Sequence, residues 1–185
     1  MNEEIEIKEI LKNPQQIEDK LKQIAKFVKE KTQIDEYFTP KHENYFELKR
    51  PVKYIRVRHE DNKSNVEFQF LHFEGDSKNL IKTDEYETKV EDPKMMSIIL
   101  KKLDMVHKVT VKKQRKQFDY KDFEIVIDNV EQLGYFIEVE AKKLLGSLKE
   151  TKQACFNILE EIGAEWEHPT LGGYPILILE KNDTK

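Results

Sequence analysis

Cysteine is almost missing: Cys155 stands alone among 185 residues, so no internal disulfide can form and a disulfide-built secreted scaffold is excluded. Glycine and proline are scarce, at 6 each, which rules out collagen-like and low-complexity chains. No apolar run approaches the roughly 20 residues that cross a bilayer; the best is "YPILILE" near the C-terminus. No basic region followed by an apolar stretch opens the chain, so export is not expected and the location is read as cytoplasmic. The histidines are scattered without a pair such as HExxH, and no Gly-rich phosphate loop is present. Any phosphate or metal chemistry must therefore come from ordinary charged side chains.

Those are abundant. Charged residues make up 37% of the chain and hydrophobic ones 38%, enough apolar material for a core in one domain spanning 1–185. The net charge of −4 gives no overall basic footprint, and no nucleic-acid or membrane partner is expected. Asn13-Pro14 and Asp92-Pro93 each put a capping residue before a proline suited to the first helical position. Ile17, Leu21, Ile24 and Val28 follow the first, and Met96, Ile99, Leu100 and Leu103 the second, at helical spacing. Ser147 with Glu150 makes a capping box before the stripe Ala154, Cys155, Ile158, Leu159 and Ile162, which Gly163 ends. Cys155 thus reads as a small core residue, and Trp166 as an anchor for the end of that helix. The segment "HPTLGGYPILILEKN" reads as a loop and a short extended segment.

Between the helices the period drops to two, giving about eight strands, and short turns such as "EDNKSN" and "FEGDSKN" require an antiparallel sheet. The strands share one habit. In "EIEIK", Glu4, Glu6 and Lys8 occupy one face and Ile5 and Ile7 the other. Arg56 and Arg58, Glu85 and Glu87, Lys113 and Arg115, and Glu138 and Glu140 repeat it, and Asp128 ends "EIVIDNV". Any one such face is ordinarily wet. Together, the sets contain Arg-x-Arg, Lys-x-Arg and Glu-x-Glu without serine or threonine. If the strands close into a barrel, helices cover the apolar outside and the ionic face turns inward. Buried charges need partners: clustered carboxylates suit Mg²⁺ or Mn²⁺, and grouped arginines and lysines suit a polyanion. A metal with several cations is what a triphosphate requires.

This order of motifs, with "EIEIK" and the late Asp128-to-Glu140 run "DNVEQLGYFIEVE", resembles the CYTH superfamily over nearly the whole chain. That superfamily includes class IV adenylyl cyclases (CyaB type), thiamine triphosphatases and inorganic tripolyphosphatases. The resemblance implies an α+β fold: a closed antiparallel eight-stranded β-barrel, a triphosphate tunnel, with flanking α-helices. It implies metal ligands at Glu4, Glu6, Glu138 and Glu140, phosphate contacts at Lys8, Arg56, Arg58, Lys113 and Arg115 with Glu87 nearby, and catalytic parts for Lys8, Glu85 and Asp128. One feature departs from the pattern. Many members carry a lysine in the strand after Arg-x-Arg, where "NVEFQFLHF" offers Gln69, Leu71 or His72; Lys53 or Lys82 are candidates to compensate.

The function expected from this set is a metal-dependent enzyme acting on a small-molecule triphosphate, most like a cyclase that closes ATP to cyclic AMP and pyrophosphate. A triphosphatase acting on thiamine triphosphate, tripolyphosphate or a nucleoside triphosphate is the alternative. A non-catalytic module that holds a polyphosphate or nucleotide, motivated by the missing lysine, is a second alternative, and a homodimer is compatible with all three. His59 and His72 read as ordinary strand residues, and "KKQRKQ" as part of the phosphate site rather than a nucleic-acid patch.

Overall fold

A computed structural model describes residues 2–47, 51–61, 63–73, 80–169 and 173–183, without the side chains of 2–4. The turn expected across 74–79 lies outside them. Strands β1 (Asn2–Glu4) and β2 (Glu6–Leu11) are followed by helix α1 (Pro14–Ile24) and the long strand β3 (Lys26–Pro40). Then come β4 (Lys53–Glu60), β5 (Lys63–Phe73), β6 (Leu80–Lys89), α2 (Pro93–Lys102), β7 (Met105–Tyr120), β8 (Phe123–Val130) and β9 (Gly134–Ala141). The chain ends with α3 (Leu148–Ile162), the two-residue β10 (Trp166–Glu167) and α4 (Tyr174–Asp183).

All strand pairs are antiparallel, in the order β1-β6-β5-β4-β3-β7-β8-β9-β2-β10. Only Ile5 separates β1 from β2, yet β1 pairs with β6 and β2 pairs with β9. One N-terminal segment therefore joins both edges of the curled sheet. Counted as one, it makes an eight-stranded tunnel, with β10 a short addition beside β2. This is the α+β tunnel expected from the sequence.

The apolar faces turn outward under helices. Ile7, Ile125, Ile127, Ile137 and Val139 pack with Ile17 and Leu21 of α1 and with Cys155, Ile158, Leu159 and Ile162 of α3. Cys155 is buried, and burial pushes its thiol up to about 11, so at neutral pH it is an inert core residue. Phe38 and Val57 sit beneath Leu100 of α2. That helix leaves Ile99 and Leu103 of its expected stripe exposed.

The caps hold with one exception. Asp92 Oδ1 accepts from the Met95 amide at 2.9 Å, and the Ser147–Glu150 capping box forms reciprocally. Gly163 closes α3 at φ 74, in the left-handed region where glycine costs least. Asn13 instead ties α1 to the end of α3, donating to Gly163 O and accepting from the Glu165 amide.

Two expectations about elements are corrected. Val28 belongs to β3, whose ladder with β7 begins at Lys26; the helix ends at Ile24. The C-terminal apolar run is a helix, α4, rather than an extended segment. Its Tyr174 and Ile178 enter a cluster with Tyr37, Tyr54, Val109, Val111, Val130 and Phe136. Those residues lie on the tunnel-facing side of their strands, so α4 covers an apolar mouth. No described helix is long and apolar enough to cross a membrane.

Candidate active site

The tunnel interior changes character along its length, because each strand contributes alternate residues and the strands run antiparallel. At one end, cross-strand register lines up Glu6, Glu140 and Glu124 on β2, β9 and β8. Glu140 has no cation or hydrogen-bond donor among the described residues. Burial, then Glu6, Glu124, Glu138 and Glu85, push its carboxyl up to about 7. Burial, reinforced by Glu138 and opposed by Lys8, raises Glu6 as well. Glu85 is raised by burial and by Glu67, and it accepts from the Gln69 amide.

Next to this acidic mouth lies a layer of paired charges. Arg58 grips Asp35 with two parallel bonds, Nε to Oδ1 at 2.7 Å and Nη2 to Oδ2 at 2.8 Å. Arg56 is bound to Glu67 and stands 3.4 Å from Asp35. Arg115 holds Asp128 in the same forked way, at 2.8 and 2.6 Å, and reaches Glu138 at 2.5 Å. Lys113 donates to Asp128 at 2.9 Å, and Lys8 lies 3.0 Å from Glu138. The carboxylates respond as buried, well-partnered groups do. Burial alone would raise Asp35, Asp128 and Glu138, but Arg58 and Arg56 hold Asp35 down, and Arg115 with Lys113 or Lys8 does the same for the other two. Lys113 moves the other way: burial and the adjacent Arg115 bring its ammonium down to about 8.

Beyond these charges is the apolar mouth under α4, where the Tyr174 hydroxyl lies 2.9 Å from Asp128 Oδ2 and 3.0 Å from Glu138 Oε1. Its ring faces Lys8 and Lys113, with both ammonium nitrogens about 5 Å from the centroid.

The expected site residues are mostly brought together. Lys8, Arg56, Arg58, Lys113, Arg115, Asp128 and Glu138 share the paired layer, and Glu6, Glu85 and Glu140 face the acidic mouth. Glu138, expected on metal, meets Lys8, Arg115 and Tyr174. Glu87 is exposed and accepts from Asn65 at 2.7 Å, outside the paired layer. The Glu4 side chain lies outside the described residues. Among the described residues no three metal-ligating side chains are gathered closely enough to hold an ion as they stand. Gln69 occupies the tunnel-facing position where a lysine was sought. Lys53 is turned away onto Glu43 at 2.7 Å, and Lys82 lies 3.3 Å from Asp84, so neither replaces it.

Sequence reasoning missed Asp35, Glu67 and Tyr174. The first two had a signal: Gln33 and Asp35 flank Ile34 in "QIDEYF", and Glu67 and Gln69 alternate with Val66, Phe68 and Phe70 in "VEFQF".

The CYTH domain family model matches residues 2–165 of this chain. The chain belongs to the CYTH family. The Methanocaldococcus jannaschii protein MJ0240, whose name proposes an adenylate cyclase, is 30% identical over 162 residues, covering 87% of this chain and 88% of that one. The solved structure of the Pyrococcus horikoshii protein PH1819 superposes with a TM-score of 0.75 at 25% identity, covering 96% and 99% of the two chains. A CYTH-like fold is also found in HpAC1 of Hippeastrum, named as an adenylyl cyclase and described as having a dominant triphosphatase activity (TM-score 0.69, 17% identity, 96% of each chain).

Proposed function

We propose that this CYTH protein is a divalent-metal-dependent enzyme that acts on a triphosphate, most like an adenylyl cyclase converting ATP to cyclic AMP and pyrophosphate. One observation carries this reading: a layer of buried arginines and lysines lies directly beside a row of glutamates in which Lys8 reaches Glu6 at 3.7 Å and Glu140 has no cation partner among the described residues. Asp35, Glu67, Asp128 and Glu138 hold Arg56, Arg58, Lys113, Arg115 and Lys8 in place. Phosphate oxygens present the same forked acceptor geometry and would share those cations with the carboxylates that orient them.

The acidic row fits a hard divalent cation in donor type, since its carboxylates are oxygen ligands that repel one another without one. Glu6 and Glu140, with Glu4 from the same N-terminal segment, would hold Mg²⁺ or Mn²⁺. When bound, such an ion neutralises charge on phosphoryl oxygens. Glu85, whose proton affinity is raised by burial and Glu67, would accept the proton of an attacking hydroxyl. Lys8, Lys113 and Arg115 orient the phosphoryl chain and stabilise the charge that develops on it. The similarity to the archaeal relative supports cyclisation, in which the ribose 3′-hydroxyl attacks the α-phosphorus.

Hydrolysis is a second reading, favoured by the covered apolar mouth. With α4 across that end, the paired layer is reached from the acidic side, which suits a bare polyphosphate whose terminal phosphorus is attacked by water. Incubation with Mg²⁺ or Mn²⁺ and either ATP, tripolyphosphate or thiamine triphosphate separates these chemistries. Cyclic AMP with pyrophosphate supports the cyclase; orthophosphate without cyclic AMP assigns a triphosphatase. Binding of tripolyphosphate with no turnover of any substrate would sink both in favour of a binding module.

A further inference from the structure

We infer that Tyr174, carried on the C-terminal helix, is a positioning residue of the catalytic layer, so that α4 sets the geometry of the site as well as covering the tunnel. The inference rests on the triphosphate reading above. Tyr174 is 4% exposed, and its hydroxyl bridges two carboxylates from different strands, Asp128 on β8 and Glu138 on β9. A phenol has one proton, so it serves one carboxylate at a time while keeping both within reach of a single oxygen.

Those carboxylates in turn fix the cations. Asp128 Oδ2 also accepts from Arg115 and Lys113, and Glu138 Oε1 also meets Lys8. Every cation on the β2, β7 and β9 side of the tunnel is thus oriented through a carboxylate that Tyr174 touches. The ring is held independently. It meets Phe136 edge-on at 4.9 Å between centroids, and it lies in the apolar cluster with Tyr54 and Ile178. Gly173, just before it, has φ +71 and leaves only 3.0 Å between an added Cβ and the Tyr54 hydroxyl. The start of α4 is therefore placed by close contact, and the hydroxyl inherits that placement.

The test compares the full-length protein with Tyr174→Phe, which keeps the ring packing and removes only the hydroxyl. Tripolyphosphate and ATP turnover are measured with Mg²⁺ or Mn²⁺, and metal-free tripolyphosphate binding is measured by calorimetry. Crystal structures of both proteins compare the Asp128 and Glu138 side chains. The expected result is a kcat lower by about 10- to 100-fold, the scale of a misplacement near 1 Å. KM and the metal-free Kd should change by less than about threefold, because a positioning residue does not hold substrate, and the two carboxylates should be displaced. Unmoved carboxylates, or a wild-type kcat in the variant, would overturn the inference. A raised KM at unchanged kcat would overturn it too, since Tyr174 would then be a substrate contact. A wild-type protein that neither binds nor converts any triphosphate would instead overturn the functional reading, and the catalytic role of Tyr174 with it.

Discussion

Glu140→Gln should make the metal-free protein more stable at pH 8 while weakening its response to a divalent cation. Glu140 is a half-buried carboxyl raised from an ordinary 4.5 to about 7 by burial and by neighbouring glutamates. For an acid raised on folding, the native state binds the proton more tightly than the unfolded chain. Stability therefore falls as pH rises from about 4.5 through 7, and the penalty is fully present above that range. Each pKa unit corresponds to about 1.4 kcal/mol, which would give ~3 kcal/mol; solvent screening of a half-buried group brings this to about 2 kcal/mol. The amide cannot ionise and is nearly the same size, so it recovers that amount at pH 8, or about 4–8 °C in Tm for a chain of this length. At pH 5, only half a unit above the unfolded value, the gain should shrink to about a quarter, roughly 0.5 kcal/mol. Thermal unfolding of both proteins at pH 5 and pH 8, with and without Mg²⁺, reads all of this. The wild type should be stabilised by Mg²⁺ at pH 8 and the variant much less. A variant no more stable at pH 8, or equally stabilised at both pH values, would refute the reasoning from a repulsive acidic mouth.

Asp128→Asn removes the one carboxylate shared by Arg115, Lys113 and Tyr174. It should destabilise the protein by about 3–5 kcal/mol, as breaking buried pairs does, with tripolyphosphate restoring part of the loss in thermal unfolding. Arg58→Lys exchanges a forked grip for a point charge, so tripolyphosphate Kd measured by calorimetry should rise about tenfold, or ~1.4 kcal/mol. Lys113, with its ammonium brought down to about 8, should lose charge as pH rises through that value. Tripolyphosphate affinity should then fall between pH 7 and pH 9 in the wild type, and less steeply in Lys113→Arg. Ile178→Ala, in the apolar mouth, should cost about 2–5 kcal/mol in urea unfolding.

Much of the tunnel was legible because a period of two separates its faces without further information. Ile55 and Val57 against Arg56 and Arg58, or Ile137 and Val139 against Glu138 and Glu140, assign inside and outside once closure is assumed. Closure itself was less visible, since it depends on one segment pairing with β6 through β1 and with β9 through β2. Pairing partners are not written in either segment's alternation. The same limit explains Glu138. Alternation put it on the ionic face beside Glu140, but only register and tilt decide that Glu138 meets Lys8 and Arg115 while Glu140 meets other acids. Val28 was misassigned because it continues a helical spacing that Ala25 already ends, in an extended conformation, at φ −120 and ψ 159.

The C-terminal helix was missed for a different reason, and the reason bears on function. Ile176, Leu177, Ile178 and Leu179 are apolar on every side, so the run carries no helical period, and a short apolar run fits a buried strand equally well. Two signals pointed the other way. Pro175 suits the first turn of a helix, and the tunnel-facing positions Ile10, Val111, Val130 and Phe136 are apolar where their strands leave the charges. An interior face that turns apolar at one end needs a cover, and the longest apolar run outside the strands is the segment able to supply it. Because that cover begins with Tyr174, the charged layer meets its lid through one hydroxyl. Packing α4 over the mouth and aligning Asp128 with Glu138 are then a single event, and a substitution that loosens the helix should reach the chemistry before it unfolds the barrel.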